Sequence, residues 1–147
     1  VRLSLQPTLD PSDYRYTHSL RTRFAETDAM GIIHHGSYPA YLEEARATML
    51  RDAGFPYDEV RSGDAGIDFA VLEPYVRHRK PLRFGDEVRI HVVVDGLTRT
   101  TFQVGYLLEA TGEARATAVT VHGAVDPSGR PSRMPAFLAD LVGNGVG

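Results

Sequence analysis

The sequence contains no cysteine. Disulfides, thiolate nucleophiles and thiolate-ligated metal sites are therefore excluded from the outset. It also lacks any apolar run near the roughly 20 residues that a membrane-spanning helix needs. The chain opens without the basic and then apolar pattern of a signal peptide, so a cytoplasmic protein is the expectation. There is no excess of basic charge: 16 Lys and Arg stand against 19 Asp and Glu, a formal net charge of -3. Nothing draws the chain as a whole to nucleic acid, and a phosphate-bearing partner would have to be held by a local cluster of cations. No internal repeat or low-complexity tract occurs, and no Gly-x-Ser-x-Gly elbow is found, which removes the usual serine hydrolase arrangement.

What is present fits one domain. At 147 residues the chain is long enough for one core and too short for two comfortable ones. Residues 1–13 carry Pro7, Asp10, Pro11 and Ser12 without periodicity and read as a loosely attached arm. Residues 14–142 form the domain, and 143–147 a short tail. Tyr16, His18, Leu20, Thr22 and Phe24 alternate with polar residues, which predicts a half-buried strand before a loop over 25–36. Tyr38, Tyr41, Leu42, Ala45 and Met49 then recur at helical spacing, with Ser37 as expected N-cap, Pro39 in the first turn and Gly54 and Pro56 at the stop. From residue 67 onward the chain reads as four strand segments. Pro74 marks an edge or bulge in the first of them, Asp95-Gly96 and Thr111-Gly112 mark turns, and a short helix is expected at 136–141. With no βαβ alternation, the pattern is α+β: one mainly antiparallel sheet with a single long helix packed on it.

The chemistry concentrates between Arg23 and Tyr38. A loop that runs into a helix N-terminus presents unpaired N–H groups and the positive end of the helix dipole, which suits a developing oxyanion. Asp28 lies in that loop. It could attack a carbonyl carbon directly, act as general base on water, or form an Asx turn with no chemical role. His34 and His35 are adjacent, so their rings diverge, and with no His-x3-His pair to complete a tetrahedral site no metal is expected. Glu43 and Glu44 lie on the helix, where Glu43 and Arg46 are spaced for an i,i+3 ion pair. Glu26 is assigned no catalytic step.

The run Glu26-Thr27-Asp28-Ala29-Met30-Gly31-Ile32-Ile33-His34-His35-Gly36-Ser37-Tyr38 resembles the signature of the 4-hydroxybenzoyl-CoA thioesterase family, within the hotdog superfamily. Asp28, Gly31, Ile32, Ile33 and Tyr38 fall on its defining positions. The likeness continues through Tyr41-Leu42-Glu43-Glu44-Ala45-Arg46, covers about residues 16–140, and is nearest to the Tol-Pal-associated acyl-CoA thioesterases. Where the family often has aromatic residues, this chain has the His34-His35 pair.

The resemblance implies a five-stranded hotdog fold wrapped around the helix and hydrolysis of an acyl-CoA or acyl-carrier-protein thioester without a cofactor. Asp28 would be the nucleophile or base, and the His35 amide the oxyanion donor, with its imidazole available to position water or substrate. Gly31, Ile33 and Tyr38 would line the substrate site. The CoA phosphates call for Arg or Lys beside the site: Arg77-His78-Arg79-Lys80, Arg99 and the Arg130/Arg133 pair are the candidates. Arg79 is placed among the substrate-binding residues, and which of them hold the phosphates stays open. Hotdog sites usually lie between subunits, so a homodimer or homotetramer is implied. In another hotdog branch the carboxylate sits on the helix, where Glu44 is the closer match. A hotdog dehydratase or hydratase is the first competing reading, although its His-Phe-Pro and Asp-x-Asn-Pro-x-His contexts are absent. A non-catalytic acyl-binding domain is the second, and Asp28 argues against it. The acyl group stays open.

Overall fold

The computed structural model describes residue 3 and residues 5–56, 59–60 and 66–143. Strand β1, Tyr16–Arg21, enters first and is followed by the loop that reaches helix α1, Tyr38–Asp52. Four strands complete the chain: β2 Asp68–His78, β3 Glu87–Asp95, β4 Thr101–Ala110 and β5 Glu113–Val125. They form one antiparallel sheet in the order β1-β3-β4-β5-β2, which leaves β1 and β2 as its edges. This is the α+β hotdog arrangement expected from the sequence.

The expected periodicities explain the packing. Tyr38, Tyr41, Leu42, Ala45 and Met49 are all buried, and they meet Val88, Ile90, Val92 and Val94 of β3 and Val104, Tyr106 and Leu108 of β4 in one core. At 20–33 cal/mol per Å2 of apolar surface, each fully buried side chain of this size contributes about 1.5–3 kcal/mol. Pro74 lies on edge strand β2, beside a register shift between Val71 and Glu73, so both features expected of it are present. The β4–β5 connection is tight: Thr111 takes a positive φ of 53°, as a two-residue hairpin with the twist of its strands requires. The segment expected as a helix at 136–141 is the 3-10 helix Ala136–Leu141, which buries Leu138 and Leu141 and stacks Phe137 on Phe55 at 4.1 Å.

Three local expectations need correction. The arm before Tyr14 is not loose. Leu5 is buried over Gly105 of β4, its N–H reaches Gln103 Oε1 (3.3 Å), and the Tyr14 hydroxyl donates to the Thr8 carbonyl (2.7 Å). The sheet face away from α1, with Leu107, Val119 and Val121 buried, explains the attachment: it is apolar and needs cover. Phe24 does not continue the inner face of β1. The chain turns into a 3-10 helix at Phe24–Glu26, and the ring stands 75% exposed, edge-on to Phe84 at 5.8 Å. Ser37 makes no side-chain cap; a 3-10 turn, His35–Ser37, precedes α1, and His34 caps that turn instead.

Candidate active site

The loop from Glu26 to His34 is held by its own backbone before any side chain acts. Asp28 N–H donates to the Ile32 carbonyl (2.8 Å), and Gly31 N–H donates back to the Asp28 carbonyl (3.0 Å). Closing this turn puts Gly31 at φ +80°, a region open to glycine and strained for other residues. Ile33 N–H then reaches the Leu82 carbonyl (2.8 Å), which ties the loop to the segment between β2 and β3.

Asp28 uses one carboxylate oxygen to finish the turn. Oδ1 accepts from Met30 N–H (2.8 Å) and, at longer range, from Ile32 N–H (3.4 Å). The Asx turn and the chemical role are thus compatible: Oδ1 fixes the side chain, and Oδ2 carries no protein hydrogen bond among the described residues. Seven residues on, the start of the helix offers its donors. His34 Nδ1 accepts from Gly36 N–H (2.9 Å), whereas His35 N–H has no acceptor among the described residues. Gly36 is needed for this approach, since a Cβ there would lie 2.8 Å from His34 Nδ1. The two imidazoles, expected to diverge, instead stack with centroids 4.3 Å apart.

Asp28 and His35 share a cleft of about 340 Å3 with Ile33, Tyr38, His78, Arg79 and Lys80. Five of the six expected site residues, Asp28, His35, Ile33, Tyr38 and Arg79, therefore come together. Gly31 does not line the cleft and acts through the turn. Burial pushes the Tyr38 phenol up against the opposing pull of the Leu82 backbone and Arg115. Lys80 is paired to Glu113 (2.6 Å), but Arg79 has no carboxylate partner among the described residues. Glu44 lies elsewhere: it bonds His18 Nε2 (2.6 Å) on the β1 flank of α1. The expected Glu43–Arg46 pair is not formed, and Arg46 instead donates to the Tyr106 hydroxyl (3.1 Å). Arg99, Arg130 and Arg133 do not line the cleft.

Glu26 is the residue that the sequence reading undervalued. Its Oε1 accepts from Arg23 N–H (2.8 Å) and from the Tyr41 hydroxyl (2.6 Å), its Oε2 from the Arg23 guanidinium, and its backbone carbonyl from His34 N–H (2.8 Å). Burial alone would raise its carboxyl, but the hydrogen bonds from Tyr41 and Arg23 outweigh that and hold it below the usual value of 4.5. Tyr41 is pushed up in turn, by burial first and then by Glu26. The available signal was the spacing: Glu26 caps the 3-10 turn begun at Arg23, in the i,i+3 relation of a capping box.

Residues 22–142 match the profile of the thioesterase-like superfamily. A protein of Aquifex aeolicus that bears the provisional name of an esterase is 39% identical over 107 residues, 73% of this chain and 82% of its own. The 1,4-dihydroxy-2-naphthoyl-CoA hydrolase of Thermosynechococcus vestitus is 30% identical over 132 residues, covering 86% of this chain and 87% of the relative. Among solved structures, the DHNA-CoA thioesterase of Staphylococcus aureus superposes with a TM-score of 0.78 at 26% identity, over 86% of this chain and 85% of that one.

The Glu26 tie has a pH signature. A carboxyl whose folded pKa lies below its unfolded one stabilises the fold above the ordinary carboxylate range, and that contribution is lost as pH falls through the folded value. Glu26→Gln should therefore lower stability at neutral pH, with the deficit shrinking as pH falls through and below the ordinary carboxylate value of 4.5. Urea denaturation of both proteins across this range checks it; a deficit of constant size would refute the ionised tie.

Proposed function

The chain is a thioester hydrolase of the thioesterase-like superfamily, and on that premise we propose that it cleaves acyl-CoA thioesters with Asp28 as its catalytic carboxylate. The observation that carries this reading is the pairing, in one cleft, of a carboxylate fixed through a single oxygen with an amide at a helix entrance that has no acceptor among the described residues. The thioester carbonyl accepts a hydrogen bond from His35 N–H, where the helix dipole adds to the donor's pull on the developing negative charge. Asp28 Oδ2 then attacks the carbonyl carbon, or takes a proton from a water that does so. When Asp28 attacks, the C–S bond breaks to leave a thiolate and a mixed anhydride on Asp28. Water then hydrolyses the anhydride to the free acid, its protons passing to the thiolate and the released carboxylates. When water attacks, its oxygen replaces the sulfur in the free acid, and the proton taken by Asp28 passes to the leaving thiolate.

Both routes use the same atoms, and both need the Oδ1 contact to Met30 to keep Oδ2 aimed. Arg79, a cation without a carboxylate partner among the described residues, suits the CoA phosphates. The Asp28-to-Tyr38 signature supports the 4-hydroxybenzoyl-CoA thioesterase branch, near the Tol-Pal-associated members, and a cytoplasmic site of action is part of the proposal. The naphthoyl-CoA relatives support CoA over a carrier protein as the thiol. The engagement of Glu44 with His18 argues against the helix-carboxylate mechanism.

A homodimer, formed through β2, belongs to this reading. That strand is an edge of the sheet, and its Val71, Leu72 and Tyr75 side chains are nearly half-exposed, apolar surface that a second copy would cover. Sedimentation equilibrium should give a mass at least twice the 16.2 kDa of the chain; a monomer at micromolar concentration would refute the pairing.

The catalytic assignment is tested by thiol release from a panel of acyl-CoAs. Asp28→Asn keeps the shape and the Met30 bond but should lower kcat at least about a hundredfold, the loss typical of a positioned acid–base group. Glu44→Gln should lower kcat/KM less than about tenfold. The reverse order, in variants that circular dichroism finds folded, would move the chemistry to the helix.

A further inference from the structure

A second cavity, of about 310 Å3, lies between α1 and the sheet beside the start of β2. Most of its wall is hydrocarbon or aromatic, including Met49, Leu50, Phe69, Phe102 and Val104. Its polar part is Glu43, Arg46 and His122. Behind this wall a chain of hydrogen bonds crosses the apolar core. Arg46 Nη1 donates to the Tyr106 hydroxyl (3.1 Å), which bonds Thr120 Oγ1 (2.6 Å), which bonds His122 Nε2 (2.7 Å).

The guanidinium offers donors and no acceptor, so the first bond runs from Arg46 to Tyr106, and a proton on His122 Nδ1, favoured by the nearby Phe69 backbone, makes each hydroxyl donate onward. Tyr106 accepts from Arg46 and donates to Thr120, and Thr120 donates to His122 Nε2. The imidazole proton sits on Nδ1, a buried atom with no hydrogen-bond partner, although the Phe69 backbone lies near enough to favour protonation slightly. The ring is stacked on Phe102 at 5.0 Å and held neutral, its pKa lowered to about 3 by burial and by Arg46.

Nothing in this chain of bonds offsets the charge of Arg46. Among the described residues its sole hydrogen bond is to a neutral phenol and no carboxylate comes within ion-pair range, although Glu43 lies one helical turn away. A half-buried cation with donors left over, set in the wall of an apolar cavity, is matched by an apolar group that brings one oxygen acceptor. Glu43 on the same wall repels a carboxylate, so the matching oxygen is a neutral one.

The cavity and the Asp28 cleft are both lined by α1 and β2, at opposite ends of the two elements. His35 and Tyr38 face His78 and Arg79 at one end, and Arg46 and Leu50 face Phe69 and Val71 at the other. At 1.5 Å per residue, with side chains leaning toward the helix N-terminus, the Arg46 guanidinium lies roughly 10 Å or more from the His35 amide. That is beyond the reach of a single ring bonded to the thioester carbonyl.

We infer that this cavity receives the far end of a long acyl group and that Arg46 selects one bearing a hydroxyl or keto oxygen there. The inference rests on the thioesterase reading. Thiol release from decanoyl-CoA and from its ω-hydroxy derivative, with wild type, Arg46→Met and Arg46→Lys, tests it. Wild type should favour the oxygenated chain by about tenfold or more in kcat/KM. Arg46→Met should bring that ratio to about one, with Arg46→Lys in between. A wild-type ratio near one overturns the inference without recourse to any variant, as does a preference that persists in folded Arg46→Met. Failure of wild type to cleave either thioester, or any other acyl-CoA, would overturn the thioesterase reading itself.

Discussion

The geometry of the cleft depends on how the Glu26 carboxylate is shared. One side chain takes the Tyr41 hydroxyl from α1 and both the N–H and the guanidinium of Arg23 from the end of β1, while its backbone carbonyl takes His34 N–H. The loop is thereby fixed to the helix at a distance of fifteen residues and to the strand at three. Charge-assisted bonds of this kind are about twice as strong as neutral ones. Four donors on one residue leave the intervening segment little freedom. Asp28 and His35 lie inside that closed span, so their separation is set by a group that touches neither.

The other wall is fixed from the sheet. Arg79 and Lys80 give their backbone N–H groups to the Arg115 carbonyl (2.8 and 3.0 Å), and the Arg115 guanidinium donates to the Pro81 carbonyl (2.6 Å). Leu82 then receives Ile33 N–H, so the two walls are joined by a backbone bond. A developing oxyanion is best stabilised by donors that need not reorganise. The His35 amide proposed as that donor is held by a loop bonded to helix and neighbouring segment, while its own hydrogen has no acceptor among the described residues. That combination of rigid support with one vacant donor is what an acyl-transfer site requires.

Much of this was legible in the sequence, and the reasons are local. The stripe from Tyr38 to Met49 could bury only one face, and strands β3 to β5 alternate or end in turn residues, so helix, sheet and topology class follow from periodicity. Pro74 announced an edge because it cannot donate to a ladder. Asp28, Gly31 and Tyr38 stood out as a pattern. What was not legible depends on contacts between distant residues. The Glu26–Tyr41 bond, the docking of Leu5 on Gly105 and the chain from Arg46 to His122 join positions whose spacing carries no signal. The choice of His34 over Ser37 as cap was hidden because a 3-10 turn added three residues to the helix entrance. Phe24 misled because alternation alone does not say where a strand stops.

The claim that the helix entrance holds the thioester oxygen is most directly tested by observing the His35 amide itself. In 15N-labelled Asp28→Asn protein, which should bind a thioester without turning it over, titration with the best acyl-CoA should move the His35 amide proton strongly downfield. The Gly36 amide, already bonded to His34, should move little. An unchanged His35 resonance in a saturated complex would contradict the oxyanion assignment.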